Sequence, residues 1–125
     1  MESRKIKILF ENFFLEGELF QGKTPDKLLK TLPVEESVNL WGDEIYFTVA
    51  INENLDESAK EVVDKGDIGF WPEGPALCFF FGPTPISPPD KIVPASAVNI
   101  VGHIDGDLSK LKTVKNGEKV RIEII

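Results

Sequence analysis

The sequence is poor in several of the residue types on which protein chemistry most often depends. Its 125 residues include one cysteine, Cys78, and one histidine, His103. A single cysteine excludes an internal disulfide, so nothing in the sequence indicates an oxidising compartment. A single histidine excludes a histidine cluster, and zinc-ligand spacings, phosphate-binding glycine loops and nucleophile elbows are all missing. We therefore expect no metal and no cofactor.

Arginine and long apolar runs are also scarce. Arg4 and Arg121 are the two arginines, and the net charge is −7. This charge argues against nucleic acid, because phosphate binding relies on lysine and arginine. No apolar run approaches the ~20 residues of a membrane helix, and the first residues lack the apolar stretch of a signal peptide. We expect a cytoplasmic protein with an acidic surface, formed as a single domain over residues 1–125, that binds neither nucleic acid nor membrane.

Aromatic residues and prolines are concentrated in the stretch from Gly66 to Pro85. Two short apolar runs are separated there by Pro-Glu-Gly-Pro and followed by Gly-Pro-Thr-Pro, a pattern typical of two strands joined by a tight connection. Seven of the nine prolines lie between Pro72 and Pro94, which predicts a stiff loop packed on the sheet after the second strand. Aromatic side chains beside prolines favour a rigid wall, and a pocket, at the rim of the sheet.

Alternation of apolar and polar residues predicts strands at both ends of the chain. Its members are Ile6, Ile8 and Phe10 near the start and Val120, Ile122 and Ile124 near the end. Two short helices are expected, one near Pro25 with Thr24 as its N-cap and one beginning at Asp107. The polar stretch 52–65 is expected to be a surface excursion with one helical turn. Together these elements predict a mainly β fold, a closed eight-stranded antiparallel barrel with two short helices.

The order of these elements resembles that of the cyclophilins. Three segments carry a closer resemblance, to small uncharacterised cyclophilin-like proteins: Trp41-Gly-Asp-Glu-Ile-Tyr-Phe, Gly66-Asp-Ile-Gly-Phe-Trp-Pro-Glu-Gly and Phe81-Gly-Pro-Thr-Pro. The resemblance implies a cyclophilin-like barrel and, for a true cyclophilin, prolyl isomerisation assisted by an arginine with glutamines nearby. The corresponding hairpin, residues 41–52, contains neither residue type. Of the isomerase pocket, only the second phenylalanine of a doublet has a match, at Phe80.

The aromatic residues near the predicted hairpins have two interpretations. Some must supply the core of a small barrel, whereas tryptophans beside prolines and turns could line a ligand groove. For Glu44 the alternatives are a polar anchor in that groove and a solvated turn carboxylate. Cys78 is interpreted as a small buried hydrophobe and His103 as a partly exposed strand residue. The candidate ligand-binding residues are Trp41, Glu44, Tyr46, Trp71, Phe80, Pro83 and Thr84.

Two functions of different classes follow from these residues. The first is a non-catalytic binding module that takes a peptide or small-molecule ligand in the aromatic groove. The second is an enzyme, a weak or atypical peptidyl-prolyl isomerase or another activity in the same groove. The missing groove arginine favours the first, because rotation about an amide has a barrier of ~18–20 kcal/mol and needs a positioned electrophile. We expect a monomer or a weak homodimer.

Overall fold

The computed structural model describes residues 3–125 and consists mainly of antiparallel strands. Within these residues one α-helix, α1, spans Lys23–Thr31, and one 3₁₀ helix spans Leu108–Thr113. No helix in this part of the chain is long and apolar enough to cross a membrane. The strands are β1 (Arg4–Leu9), β2 (Phe14–Leu19), β3 (Val34–Ser37), β4 (Asn39–Leu40), β5 (Glu44–Thr48), β6 (Ala59–Lys60), β7 (Asp67–Trp71), β8 (Ala76–Phe80), β9 (Val98–Asp105) and β10 (Lys119–Ile124).

The strands form a nearly closed barrel. Neighbouring strands follow the order β3-β10-β1-β2-β9-β7-β8-β5-β4, and β6 pairs with β9 outside this path. Only Val38 separates β3 from β4, so one extended segment pairs with β10 at one end and with β5 at the other. The predicted antiparallel barrel is confirmed. The sequence predicts eight strands, whereas this path contains nine. The additional strand arises because the segment 34–40 forms two strands, β3 and β4, instead of one.

The interior of the barrel holds the alternating apolar side chains of the first and last strands, except for Ile124, which is 40% exposed at the end of β10. Ile6, Ile8, Val120 and Ile122 are almost completely buried, and β1 pairs with β10 so that Ile8 lies opposite Ile122. The two-residue period therefore places the apolar face of each strand inside, as the alternation predicts. This core fixes the strands on which the pocket is built.

The connections between strands differ from the sequence prediction in two places. Helix α1 begins at Lys23 with Gly22 as N-cap, and Thr24 is not the cap because it is buried against β9, where its hydroxyl accepts a 3.4 Å hydrogen bond from Asn99 Nδ2. The helical turn expected in residues 52–65 is absent, because this segment pairs with its neighbours through β6 and a bridge from Val63 to Ile92. The cap at Asp107 is confirmed.

Strands β7 and β8 are buried on both of their faces. Phe79 and Phe81 lie in the barrel core, whereas Cys78 and Phe80 lie on the outer face, as the two-residue period of a strand requires. The outer side chains form a second cluster, the outer cluster: Val63, Cys78, Phe80, Ile92 and Val98, with Tyr46, Trp71 and Ile100 packed against it. The proline-rich segment 82–97 contributes Ile92 to this cluster, so it packs on the barrel as expected.

Candidate functional site: an aromatic pocket with a buried carboxyl group

A cavity of about 160 Å³ lies on the outer face of β5, β7 and β8. Aromatic rings and small apolar side chains make up most of its wall, and one carboxyl group belongs to it. The lining residues are Trp41, Glu44, Tyr46, Trp71, Cys78, Pro94, Ala95 and Val98. The pocket is thus formed where the proline-rich segment meets the outer cluster.

The register of the sheet brings the lining side chains from three strands together. On β5, Glu44 lies opposite Phe80 and Tyr46 lies opposite Cys78. On β7, Trp71 pairs with Ala76 of β8. Because side chains alternate along a strand, Glu44, Tyr46 and Cys78 emerge on the same outer face while the residues between them enter the core.

A tight turn positions Trp41 beside the start of β5. The backbone N–H of Trp41 donates to the Glu44 carbonyl at 2.9 Å, and the Glu44 N–H donates to the Trp41 carbonyl at 3.2 Å. Gly42 has a φ of +60°, a conformation that glycine adopts at the first central position of such hairpin turns. The turn is held from outside, because the Asp43 N–H donates to the Pro83 carbonyl at 3.0 Å.

Hydrogen bonds hold the second tryptophan of the pocket in place. Trp71 Nε1 donates to Ser96 Oγ at 2.7 Å, and the Ser96 hydroxyl in turn donates to a carboxylate oxygen of Glu73. The indole N–H therefore has a partner, while the ring contributes its apolar surface to the pocket. This chain of contacts links β7 to the segment that covers the outer face.

The electrostatic feature of the pocket is Glu44, whose side chain is buried. The residue is 6% exposed, and its Oε1 has no hydrogen-bond partner among the described residues. Burial raises the pKa of Glu44 to about 7, and a hydrogen bond with the Cys78 side chain lowers it in part. The alternative of a solvated turn carboxylate is therefore wrong. A carboxyl group in this setting can accept a hydrogen bond when ionised or donate one when protonated.

Burial also determines the state of the cysteine. Cys78 is 2% exposed, and the pKa of its thiol is raised by burial and further by the neighbouring carboxylate of Glu44. A reactive thiolate requires nearby positive charge, and none of the described residues that line the pocket carries one. Cys78 thus contributes apolar surface and a weak S–H donor, consistent with its interpretation as a buried hydrophobe.

Four of the seven sequence-predicted site residues line the pocket: Trp41, Glu44, Tyr46 and Trp71. Phe80 does not, because its ring is fully buried beneath the pocket in the space that Gly69 leaves open. A Cβ at Gly69 would lie 3.1 Å from Phe80 Cε2 and 2.8 Å from Val98 Cγ2. The second phenylalanine of the doublet therefore supports the outer cluster instead of forming the pocket wall.

Pro83 and Thr84 also lie outside the pocket lining. The Pro83 carbonyl accepts the hydrogen bond from the Asp43 N–H, in the turn between Trp41 and Glu44. Thr84 is buried, and its hydroxyl contacts the Val93 carbonyl and Ser87 Oγ. Both residues hold the covering segment and the turn in place.

Sequence reasoning missed Cys78, Pro94, Ala95 and Val98 as lining residues. The signal for Cys78 was present, since a two-residue period puts it on the outer face with Phe80. The contributions of Pro94 and Ala95 depend on where the proline-rich segment crosses the sheet, and no local pattern gives that crossing point.

The described residues show no arginine in the pocket and no group of three histidine, cysteine, aspartate or glutamate residues placed to hold a metal ion. Arg4 lies on β1, and Arg121 on β10 pairs with Glu35 and Glu123. His103 is partly exposed on β9, opposite Asp67, as its interpretation as a strand residue requires.

Comparison with known proteins identifies the family. The solution structure of the hypothetical protein AF2241 from Archaeoglobus fulgidus is 41% identical, with a TM-score of 0.81 over 98% of this chain and 95% of that one. McbB in complex with tryptophan has a TM-score of 0.68 at 18% identity, over 94% of this chain and 44% of that one, a likeness of fold alone. The comparison with curated proteins finds no match. The family profile described as cyclophilin-like matches residues 4–123. The chain therefore belongs to the cyclophilin-like family.

Proposed function

We propose that this protein is a binding module that takes one small apolar group, with a polar atom attached, in the aromatic pocket. One observation carries the proposal: three aromatic side chains line a cavity in which Glu44 supplies the only carboxyl group among the described residues, and that group is buried with one oxygen that has no partner among them. Buried polar atoms are nearly always hydrogen-bonded. A ligand that places a polar hydrogen in this concave apolar site would supply the missing bond.

The size of the cavity limits the ligand group. A volume of about 160 Å³ is close to the ~150 Å³ of an apolar cavity that binds benzene. A single ring fits, either as a small molecule or as one side chain of a peptide. A longer peptide would have to extend beyond this pocket onto the surrounding surface.

The pocket is suited to binding more than to catalysis. Among the described residues its lining includes no arginine, lysine or histidine, so none of them supplies a cationic side chain that could withdraw electrons from a bound amide. The tryptophan in the McbB complex is a ligand of that protein, and a likeness of fold at 18% identity does not make it a ligand of this chain. The ligand class proposed for this chain rests on its own pocket.

Several properties accompany this proposal. The net charge of −7 favours a peptide or small-molecule ligand over nucleic acid. We further propose a cytoplasmic protein that acts as a monomer or a weak homodimer, with no cofactor.

The test is titration of the ¹⁵N-labelled protein with benzyl alcohol, a neutral single-ring probe, followed by amide and indole shifts. We expect saturable shifts at Trp41, Trp71 and Glu44, and about tenfold weaker binding in Trp71→Ala, since a buried aromatic contact contributes ~1 kcal/mol or more. The matched control is Phe14→Ala, which removes an aromatic ring that is 48% exposed on β2 and should leave binding unchanged. Absence of saturable shifts at the pocket, or equal loss in both variants, would overturn the proposal.

A further inference from the structure

We propose that the group bound in the aromatic pocket is a protonated amine with at least one N–H, carried on an apolar body of about one ring. This inference rests on the proposed function and names the class of ligand. Three features of the wall support it: the free acceptor on Glu44, the lack of positive charge among the described lining residues, and the aromatic rings. Each feature alone would admit other ligands, but together they favour a cationic donor.

The first feature is the hydrogen bonding of Glu44. The carboxyl group lines the pocket beside Cys78, and its Oε1 has no partner in the described residues. An ionised carboxylate only accepts hydrogen bonds. The ligand must therefore supply a donor, which an N–H provides and a quaternary ammonium lacks.

The second feature is the charge around Glu44. The other titratable groups in the lining are the Cys78 thiol on β8 and the Tyr46 phenol on β5, while Trp41, Trp71, Pro94, Ala95 and Val98 carry no charge. Asp43, next to Glu44 in the chain, lies against Gly82, where an added Cβ would meet its carboxylate. A buried carboxylate without a cation is costly. A protonated amine would supply the missing positive charge, whereas an anionic ligand would be repelled.

The third feature is the aromatic wall. Trp41, Tyr46 and Trp71 present two indoles and a phenol to the cavity. The faces of aromatic rings are electronegative and attract cations, tryptophan most strongly. The rings also accommodate the apolar body of the ligand, so both parts of an apolar amine have a complementary surface.

The protonation of Glu44 gives this proposal a signature in pH. Burial raises the pKa of Glu44 to about 7, and a cation binds the ionised form. The fraction of binding-competent protein falls by roughly tenfold between pH 8 and pH 6, and the apparent affinity falls with it. A neutral ligand with the same ring should show no such loss.

The experiment compares benzylamine with benzyl alcohol by calorimetry at pH 8 and pH 6. We expect benzylamine to bind at least about tenfold more tightly at pH 8, since a hydrogen bond to a charged group is worth more than a neutral one. Benzylamine should lose roughly tenfold at pH 6, while benzyl alcohol changes little. Benzyltrimethylammonium, which keeps the charge and removes every N–H, should bind more weakly than benzylamine.

Variants separate this inference from the proposed function. In Glu44→Gln the preference for benzylamine and its pH dependence should both disappear, while benzyl alcohol still binds. Glu36→Gln removes the same charge from an exposed position on β3. This variant should retain both the preference for benzylamine and its pH dependence. Equal affinities of wild-type protein for the two probes would overturn the cation inference and leave the binding module standing. Binding of neither probe at the pocket would overturn both.

A final arm distinguishes the source of the amine. A lysine-centred tripeptide with acetylated and amidated ends offers a protonated amine on an alkyl chain within a peptide, and its norleucine counterpart lacks the charge. Tighter binding of the lysine peptide than of benzylamine would assign the site to peptides. Tighter binding of benzylamine would assign it to free amines. If Glu44→Gln binds benzylamine and the lysine peptide as tightly as wild type does, the inference is contradicted.

Discussion

Glu44 on β5 and Cys78 on β8 lie beside each other on the outer face of the barrel, and each shifts the pKa of the other. Glu44 lies opposite Phe80, and Cys78 lies opposite Tyr46. The two side chains are therefore diagonal neighbours across β5 and β8, within reach of each other. A carboxyl group that is buried with only a weak thiol donor beside it makes the folded protein sensitive to the ionisation of this one residue.

Stability should therefore fall as Glu44 ionises. Its folded pKa of about 7 lies above an ordinary value of 4.5, so the folded state binds this proton more tightly than the unfolded chain does. The penalty is absent below pH 4.5, grows as pH rises towards 7 and is complete above 7, reaching roughly 3 kcal/mol. We expect the free energy of unfolding of wild-type protein, measured in urea relative to Glu44→Gln, to decrease between pH 5 and pH 8.

Both proteins share every other titratable group, including Asp67, whose pKa is also raised by burial. The contributions of these groups to the pH dependence of stability therefore cancel in the difference between wild type and Glu44→Gln. Glu36→Gln serves as the control and should parallel wild type at every pH. A constant difference between wild type and Glu44→Gln from pH 5 to pH 8 would show that Glu44 titrates normally in the folded protein.

The thiol of Cys78 should set the midpoint of that titration. Because its hydrogen bond lowers the pKa of Glu44, Cys78→Ala should raise this pKa, and Cys78→Ser, with a stronger O–H donor, should lower it. The measurement is the ¹³C shift of the Glu44 side-chain carboxyl group followed from pH 4 to pH 9. Equal midpoints for the alanine, serine and wild-type proteins would mean that the thiol does not bond to the carboxyl group.

Much of the fold could be predicted because the two-residue period acts locally. Alternation around Ile6 and Val120 predicts strands at both ends, and the same period separates Phe79 from Phe80 on β8. The burial of Glu44 could not be predicted in this way. It depends on tertiary contacts around the pocket, which Glu44 lines together with Pro94 and Ala95, some fifty residues further along the chain. The pairing of distant segments is not encoded in any local pattern.

The position of Phe80 illustrates the same limit. Its assignment to the outer face follows from alternation, but its place beneath the pocket depends on Gly69 and Val98, which lie on other strands. Likewise, threonine is a residue type that often caps helices, yet the contact of Thr24 with Asn99 of β9 makes it part of the interior. In both cases a tertiary contact decides what the side chain does.

Replacing Phe80 should therefore affect stability more than ligand specificity. Its ring is 0% exposed, and Phe80→Ala should destabilise the protein by about 3–5 kcal/mol through the cavity it leaves. Phe14→Ala, at a 48% exposed ring that contacts the Lys7 ammonium group, should cost no more than about 1 kcal/mol. Urea unfolding of both variants provides the measurement.

A second variant separates packing from recognition at this position. Phe80→Leu keeps most of the buried volume and should fold. Because Phe80 does not line the pocket, its affinity for benzyl alcohol should stay within a few-fold of wild type. A selective loss of binding in a stably folded Phe80→Leu protein would place this ring in the wall of the site.

The pocket should be a poor catalyst of prolyl isomerisation. Positioned proton donors or electrophiles typically contribute 10²–10⁴-fold, and Arg4 and Arg121 lie on β1 and β10, outside the pocket lining. An apolar wall alone can desolvate an amide and accelerate its rotation a little. We expect cis-to-trans relaxation of an Ala-Pro peptide to stay near its uncatalysed rate at micromolar protein. Relaxation as fast as with a true cyclophilin, lost in Trp71→Ala but kept in Phe14→Ala, would show that protonated Glu44 or another donor replaces the arginine.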